Sequence, residues 1–261
     1  MTLPQPTGEF EWTQESWGPA LRCTAMSETV AHCFSTRQLA VSGALEEDAS
    51  SWWPLARALD VPADALVRLR QVHGAAVFDA SRSTFAKRPY AQWPQADIAI
   101  SDDPSLGLTV RAADCVPVLL ADRKTGAVSA IHAGWRGTAA GAVLAAVQAL
   151  TGRFGTEPGN IVAAVGPCIG PCCYTVGEEL VQKFTSHPDA SRWFDRAREL
   201  RLDLWQATRD QLKRAGVVPE AIHISELCTF DHPDVFHSYR RDGKNAGRLV
   251  AAIRPHPQTK I

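Results

Sequence analysis

Three polar residues break apolar runs in similar ways. His73 ends LVRLRQVHG, Cys115 sits inside AADCVPVLL, and His132 sits inside SAIHAGWRG. Each is followed within two residues by glycine or proline, which places it where a strand gives way to a turn and where backbone can approach a ligand closely. Imidazole and thiolate are zinc ligands, and a His/Cys/His set leaves one tetrahedral position open, the pattern of a catalytic zinc site. Taken singly, each is better read as a packed or hydrogen-bonded residue at a strand end; taken together, the metal reading gains equal standing. On residue types alone both readings stand.

The elements around these residues bear on the choice. Residues 113–134 read ADCVPVLLADRKTGAVSAIHAG, two apolar runs around Asp122-Arg123-Lys124-Thr125-Gly126, with a glycine suited to positive φ. Pairing Ala121 with Ala127 in a hairpin puts Cys115 opposite Ala133, and a one-residue change of register puts it opposite His132. Opposed residues have Cβ atoms about 4.5–5.5 Å apart, a spacing that two ligands of one metal ion can use. Further strands are expected at 30–34, 65–72, 96–100, 107–111, 116–121, 127–131, 161–165, 221–224 and 235–239, from β-branched content and turn-rich borders. Helical periodicity occupies about 47–59, 138–153, 177–186 and 203–215, the last ending in Lys213, Arg214 and then Gly216. Segments 81–95 and 154–160 read as surface loops. Hairpins mixed with helical crossovers give a mixed α/β (α+β) fold, and no repeat or linker divides the chain. A single domain over 1–261 is expected.

Composition excludes several classes. The 261 residues carry 27 Lys plus Arg against 28 Asp plus Glu, a net charge of -1, without the basic excess of a nucleic-acid binder. Arg240, Arg241, Lys244 and Arg248 form the one dense basic cluster, enough for a single phosphate or carboxylate and equally readable as a solvated edge. The hydrophobic fraction is 45%, but no apolar run approaches the roughly 18 residues of a membrane span. The start, MTLPQPTGEFEWTQESW, has no secretory pattern. Seven cysteines in such a chain point to reduced thiols in the cytoplasm, most of them inert core residues. Cys168, Cys172 and Cys173 share a Gly/Pro-rich loop, but a second metal site there lacks identifiable further ligands, and a structural reading is preferred.

Six segments occur in order: RQVHGAAV, ADCVPVLLAD, IHAGWRGTAAG, GPCIGPCCYTVG, the step Cys228-Thr229-Phe230, and FHSYRRDGKNAGR. Together they resemble the laccase-domain family, also called polyphenol oxidase family proteins and understood as purine nucleoside phosphorylases. The resemblance runs from about Phe34 to Ile253, and HAGWRG is its most specific element. It implies a layered arrangement of mixed β-sheets flanked by helices, and zinc bound by His73, Cys115 and His132. It also implies phosphorolysis of adenosine, inosine and methylthioadenosine, with adenosine deamination in addition. The chain departs from the family pattern in three places. Gln38-Leu39-Ala40-Val41-Ser42 follow Phe34-Ser35-Thr36-Arg37 where the family has Gly-Gly-Val-Ser, Thr175 replaces a glutamate, and the segment Arg240–Arg248 is one residue longer. None of these removes an implied metal ligand.

Phosphorolysis needs an anion beside the sugar C1′, and guanidinium groups bind phosphate bidentately. Arg37, Arg70, Arg136, Arg240 and Arg241 are the candidates, each with an alternative reading as a surface or ion-paired residue. Zinc would act as a Lewis acid or lower the pKa of water towards 7, and the latter chemistry suits deamination at adenine C6. Asp114 is a candidate partner of the site or proton acceptor, or a turn cap, and Cys228 is a further pocket candidate, although a buried structural thiol is its preferred reading. The expected partners are a small nucleoside and phosphate, with no nucleic acid and no membrane, in a monomer or small homo-oligomer.

Three rival readings remain. A copper-dependent polyphenol oxidase needs more ligands than eight histidines without a His-x-His pair and methionines only at 1 and 26 provide, leaving copper as an adventitious metal. An amidase editing peptidoglycan precursors would use Cys115 as nucleophile with a histidine base. A zinc-stabilised binding module would show metal-dependent stability and no turnover.

Overall fold

The structure is a computed structural model that describes residues 2–41, 49–80 and 92–256. Two six-stranded sheets form its centre. The first runs in the order β1 (Phe10–Glu15), β2 (Gly18–Cys23), β3 (Val30–Ser35), β14 (Leu249–Pro255), β7 (Gly107–Ala112) and β4 (Leu66–Val67). The second runs β13 (Ile222–Ile224), β10 (Ile161–Val165), β8 (Val116–Asp122), β9 (Val128–Ala133), β6 (Ile98–Ser101) and β5 (Val77–Asp79). Most neighbours are antiparallel, whereas β4–β7, β10–β13 and β5–β6 are parallel, so both sheets are mixed. A two-stranded ribbon joins β11 (Phe194–Asp195) to β12 (Arg201–Leu202). The mixed layered fold expected from the sequence is the fold observed.

The sheets pack face to face. Phe34, Leu108, Val110, Ala251 and Ile253 meet Leu119, Ala121, Val128, Ala130, Val162 and Ala164 in one buried cluster. On the far side of the second sheet, Val118, Leu120, Ile131 and Val165 lie under helix Ala142–Phe154 and helix Leu204–Arg214. The far side of the first sheet is closed by Leu39, Trp52, Leu55 and Leu59. Strands β8 and β9 are thus buried on both faces at every position, which is why they read as continuous apolar runs without alternation.

Several expected boundaries change. The hairpin pairs Ala121 with Val128, and Pro117 with His132. Asp122 belongs to the strand, because its carboxylate accepts Lys124 N–H at 2.8 Å and Thr125 Oγ1 at 2.6 Å and closes a tighter loop, with Gly126 at φ 73°. Cys115 therefore lies opposite neither Ala133 nor His132. The helix expected at 138–153 is two, Trp135–Ala139 and Ala142–Phe154, because Gly141 between them sits at φ 74°. Helix 177–186 shortens to Glu178–Gln182. No strand forms at 235–239, since Ser238 instead caps the short helix Tyr239–Asp242 by accepting the Arg241 N–H. Of the run 65–72, Leu66 and Val67 alone join the sheet as a strand. The first hairpin, β1 with β2, and the central strand β14 were not anticipated. The expected helix 47–59 and loop 81–95 lie partly outside the described residues; of the former, the described part contains a 3-10 turn, Ala49–Trp52, followed by helix Trp53–Ala58.

Candidate metal centre and cavity

His73, Cys115 and His132 reach one point from three elements. His132 is the penultimate residue of β9, Cys115 immediately precedes β8, and His73 lies in the turn after the β4 segment. Their ligand atoms all lie within 4.8 Å of one another. The two imidazoles meet edge to face, with ring centroids 4.9 Å apart. His132 is opposite Pro117, so Cys115, two residues earlier, is its diagonal neighbour on the same face, a longer reach than direct opposition. The bend before Cys115 covers that distance, with Asp114 held at φ 88°. His73 itself sits at φ 62°. Left-handed backbone at non-glycine residues persists only where surroundings enforce it, and such residues cluster at functional sites.

What enforces it is Asp97, a residue that sequence reasoning missed. Its fully buried carboxylate accepts the backbone N–H groups of Val72, His73 and Gly74 at 3.2, 2.9 and 2.7 Å. The same group lies 2.8 Å from His132 Nδ1. Burial alone would raise the Asp97 carboxyl, but the hydrogen bonds from His132 and Gly74 outweigh it and lower its pKa. An ionised carboxylate only accepts, so Nδ1 donates and the Nε2 lone pair of His132 is left for a metal. One carboxylate thus shapes the turn that carries His73 and sets the tautomer of His132.

Gly134 supplies the space. A Cβ there would stand 2.6 Å from Cys115 Sγ and 3.8 Å from His73 Cδ2. Burial opposes ionisation of the Cys115 thiol, but the His132 charge and hydrogen bonds from His132 and His73 prevail, and the thiol is lowered to about 6. His132 is raised to about 9, since the neighbouring Cys115 and Asp97 outweigh its desolvation, so Nε2 carries a proton toward the Cys115 thiolate that a metal would displace. Two nitrogens and one thiolate, already close together and supported from behind by a carboxylate, suit a borderline-soft divalent ion.

The three residues open onto a cavity of about 630 Å3. Trp135, Tyr174 and Tyr239 give it aromatic surface, Ile169 and Leu204 apolar surface, and Arg111, Arg136, Arg240 and Arg248 positive charge. The Arg136 guanidinium stacks 4.2 Å from the Trp135 ring centroid and that of Arg240 5.0 Å from Tyr174. Gln71, also on the wall, holds both the N–H and the C=O of Arg111 through its amide, at 2.9 and 2.7 Å. Both carboxylate oxygens of Asp114 are engaged, Oδ1 by the Thr229 hydroxyl at 2.6 Å and Oδ2 by Arg240 N–H at 2.6 Å.

The other expected binding residues lie elsewhere. Arg37 donates to the Pro233 carbonyl. Arg241 faces inward, donating to the carbonyls of Thr229, Phe230 and Phe236 and to Asp242. Neither they, nor Arg70, nor the buried Cys228 is among the lining residues. Glutamine, arginine and tyrosine at positions 71, 111, 174 and 239 carried no individual signal in the sequence; only the fold brings them to one wall.

Fold and site together define a two-sheet, helix-flanked protein with a three-ligand metal-capable centre at the floor of a cationic, aromatic cavity. A family model described as multi-copper polyphenol oxidoreductase laccase matches residues 31–256. The chain belongs to that family. A protein of Bacteroides thetaiotaomicron named purine nucleoside phosphorylase is 38% identical over 164 residues, which are 61% of this chain and 61% of that relative. The match thus spans less than two thirds of that relative's length. One of the same name from Deinococcus radiodurans is 34% identical over 248 residues, 90% of this chain and 92% of that one. The crystal structure of YlmD from Geobacillus stearothermophilus superposes with a TM-score of 0.84 at 30% identity, over 94% of this chain and 99% of that one. Among the described residues no helix is long and apolar enough to cross a membrane.

Proposed function

We propose that this protein is a zinc-dependent purine nucleoside phosphorylase for adenosine, inosine and methylthioadenosine that also deaminates adenosine. The observation that carries the reading is a single cavity in which His73, Cys115 and His132 share space with three aromatic rings and four arginines. A nucleoside and phosphate ask for that mixture: flat apolar surface for the base and guanidinium groups for the anion. The names of the bacterial relatives point the same way.

The donor set fits zinc. Two histidines and one cysteine leave a fourth position for substrate or solvent. A blue-copper site would add a weak axial methionine, but Met26 is buried in the core between the sheets. When bound, the metal supplies Lewis acidity at the cavity floor. The chain's own residues do the rest. Arg136 and Arg240 hold phosphate against the sugar. Trp135 and Tyr174 orient the purine and keep water from its faces. Asp114, with both oxygens taken, is a positioning residue that ties Arg240 to the turn carrying Cys115. The free thiols of all seven cysteines suit a reducing cytoplasmic setting.

One observation favours a second reading. Cys115, His132 and Asp97 are also arranged as thiol, imidazole and orienting carboxylate, with the thiol lowered to about 6, the pattern of a cysteine hydrolase such as a cell-wall amidase. Metal removal separates the two. Protein of recorded zinc content is given adenosine with and without phosphate, before and after chelation. Phosphate-dependent adenine release that chelation abolishes, and that Cys115→Ala lacks together with the metal of the His73 centre, is the expected result. Turnover that survives chelation would overturn it in favour of the thiol nucleophile.

A further inference from the structure

The loop that carries the Gly/Pro-rich cysteines meets the chain again far downstream. Cys172, Cys173, Cys228 and Asp231 place one ligand atom each within 4.8 Å of one another, apart from the His73, Cys115 and His132 set. Two loops converge to make this cluster. The backbones of Cys168 and Cys228 pair in parallel as an isolated β-bridge, held by Cys168 N–H to Leu227 O at 3.2 Å and Thr229 N–H to Cys168 O at 3.0 Å. Gly170 N–H then points at Cys228 Sγ, 3.3 Å away. The turn that follows brings both adjacent thiols onto one carboxylate. Cys172 Sγ donates to Asp231 Oδ2 at 3.1 Å, and Cys173 Sγ donates to Oδ1 at 3.0 Å.

From this we infer a second metal site, in which Cys172, Cys173, Cys228 and Asp231 bind one zinc ion as a closed, four-ligand structural centre. Thiolate sulfur and a carboxylate oxygen are both zinc donors, and sites with four protein ligands are structural. A tetrahedron with Zn–S near 2.3 Å has S···S edges of about 3.8 Å, so no separation in the cluster need close by more than about 1 Å on binding. Three sulfurs select a soft or borderline ion over magnesium or calcium. Each of the three ligating thiols releases its proton to solvent on binding, the two now donated to Asp231 and that of Cys228. Without a cation the Cys172 and Cys173 thiols keep their protons and donate them to the Asp231 carboxylate.

The position assigns the site a job. Residues 166–175 contribute Ile169 and Tyr174 to the cavity wall. Residues 228–231 line none of the cavity but bring the Thr229 hydroxyl onto Asp114, a lining residue beside Cys115. A zinc ion joining the two loops staples that wall from behind, including the Tyr174 ring under Arg240. The inference does not rest on the substrate assigned above.

The test uses full-length protein, reduced with a non-thiol reductant, stripped of metal and titrated with zinc against a chromophoric chelator. Wild type is expected to bind two equivalents, Cys172→Ser/Cys173→Ser one, and Cys115→Ala one. Cobalt added to Cys115→Ala is expected to show an intense thiolate charge-transfer band that Asp231→Asn weakens. Because Cys172 is exposed, zinc should also protect it from alkylation in wild type, which decides the matter even if the double variant does not fold. A single equivalent in wild type, absent from Cys115→Ala, overturns the inference; so does alkylation of Cys172 at the same rate with and without zinc. Loss of nucleoside turnover with two equivalents still bound would count against the proposed reaction and leave this site standing.

Discussion

Replacing Asp97 by asparagine isolates the contribution of one buried carboxylate. The side chain keeps its size, but an amide offers one acceptor oxygen where the carboxylate offers two. At present one oxygen serves His73 N–H and His132 Nδ1 and the other serves Gly74 and Val72 N–H. Whichever way the amide turns, its NH2 faces donors. If it faces His132, the ring is driven toward the tautomer that places a proton on Nε2 and blocks the metal. If it faces Gly74, the turn that holds His73 at φ 62° loses its anchor. Loss of an outer partner of a metal ligand costs about 10–100-fold in affinity, or roughly 1.4–2.7 kcal/mol. The buried donor left unsatisfied costs a further 1–3 kcal/mol, roughly, in fold stability. For a chain of this size each kcal/mol is worth about 2–4 °C in Tm. The assay is a zinc competition titration of wild type and Asp97→Asn, paired with thermal unfolding of the metal-free proteins. Unchanged zinc affinity in a folded variant would refute the claim that Asp97 organises the centre.

Gly134→Ala should lose zinc at the His73 centre while staying folded, read by metal analysis, because its Cβ would stand 2.6 Å from Cys115 Sγ. Arg240→Ala should raise the KM for phosphate about tenfold, the worth of one charge-assisted bond, whereas Arg241→Ala should lower Tm, since that guanidinium is spent on inward carbonyls. His32, fully buried in β3, accepts the Cys23 N–H at 2.8 Å and is depressed by burial from 6.5 to about 4. The unfolded chain therefore takes up this proton first on acidification, and stability present above pH 6.5 drains away between there and about pH 4. The drop is worth about 3 kcal/mol at roughly 1.4 kcal/mol per pH decade. Urea unfolding at pH 7 and pH 5 should show this slope in wild type and a shallower one in His32→Asn; parallel slopes would contradict it.

The sequence alone determined the things that are local or periodic. Strands β8, β9 and β10 were legible as apolar runs between turn residues, and helix Leu204–Arg214 from its spacing and from its end before Gly216. His73, Cys115 and His132 stood out because each interrupts such a run, and they do meet. What the sequence left open depends on pairing across long separations. The hairpin register turned on whether Asp122 joined the strand or the loop, a choice made by side-chain hydrogen bonds within the turn. Strand β14 sits in the middle of the first sheet because β3 and β7 pair with its two edges, and neither partner is near it in sequence. Asp97 reads as one polar residue at the start of a strand, and its importance comes from three N–H groups delivered by a turn more than twenty residues earlier. Cys172 and Cys173 lacked companions until folding brought Cys228 and Asp231 to them. Hydrogen bonding and metal ligation act over a few ångströms in space, so they fall to tertiary structure, whereas burial periodicity and turn chemistry act between neighbours and are written along the chain.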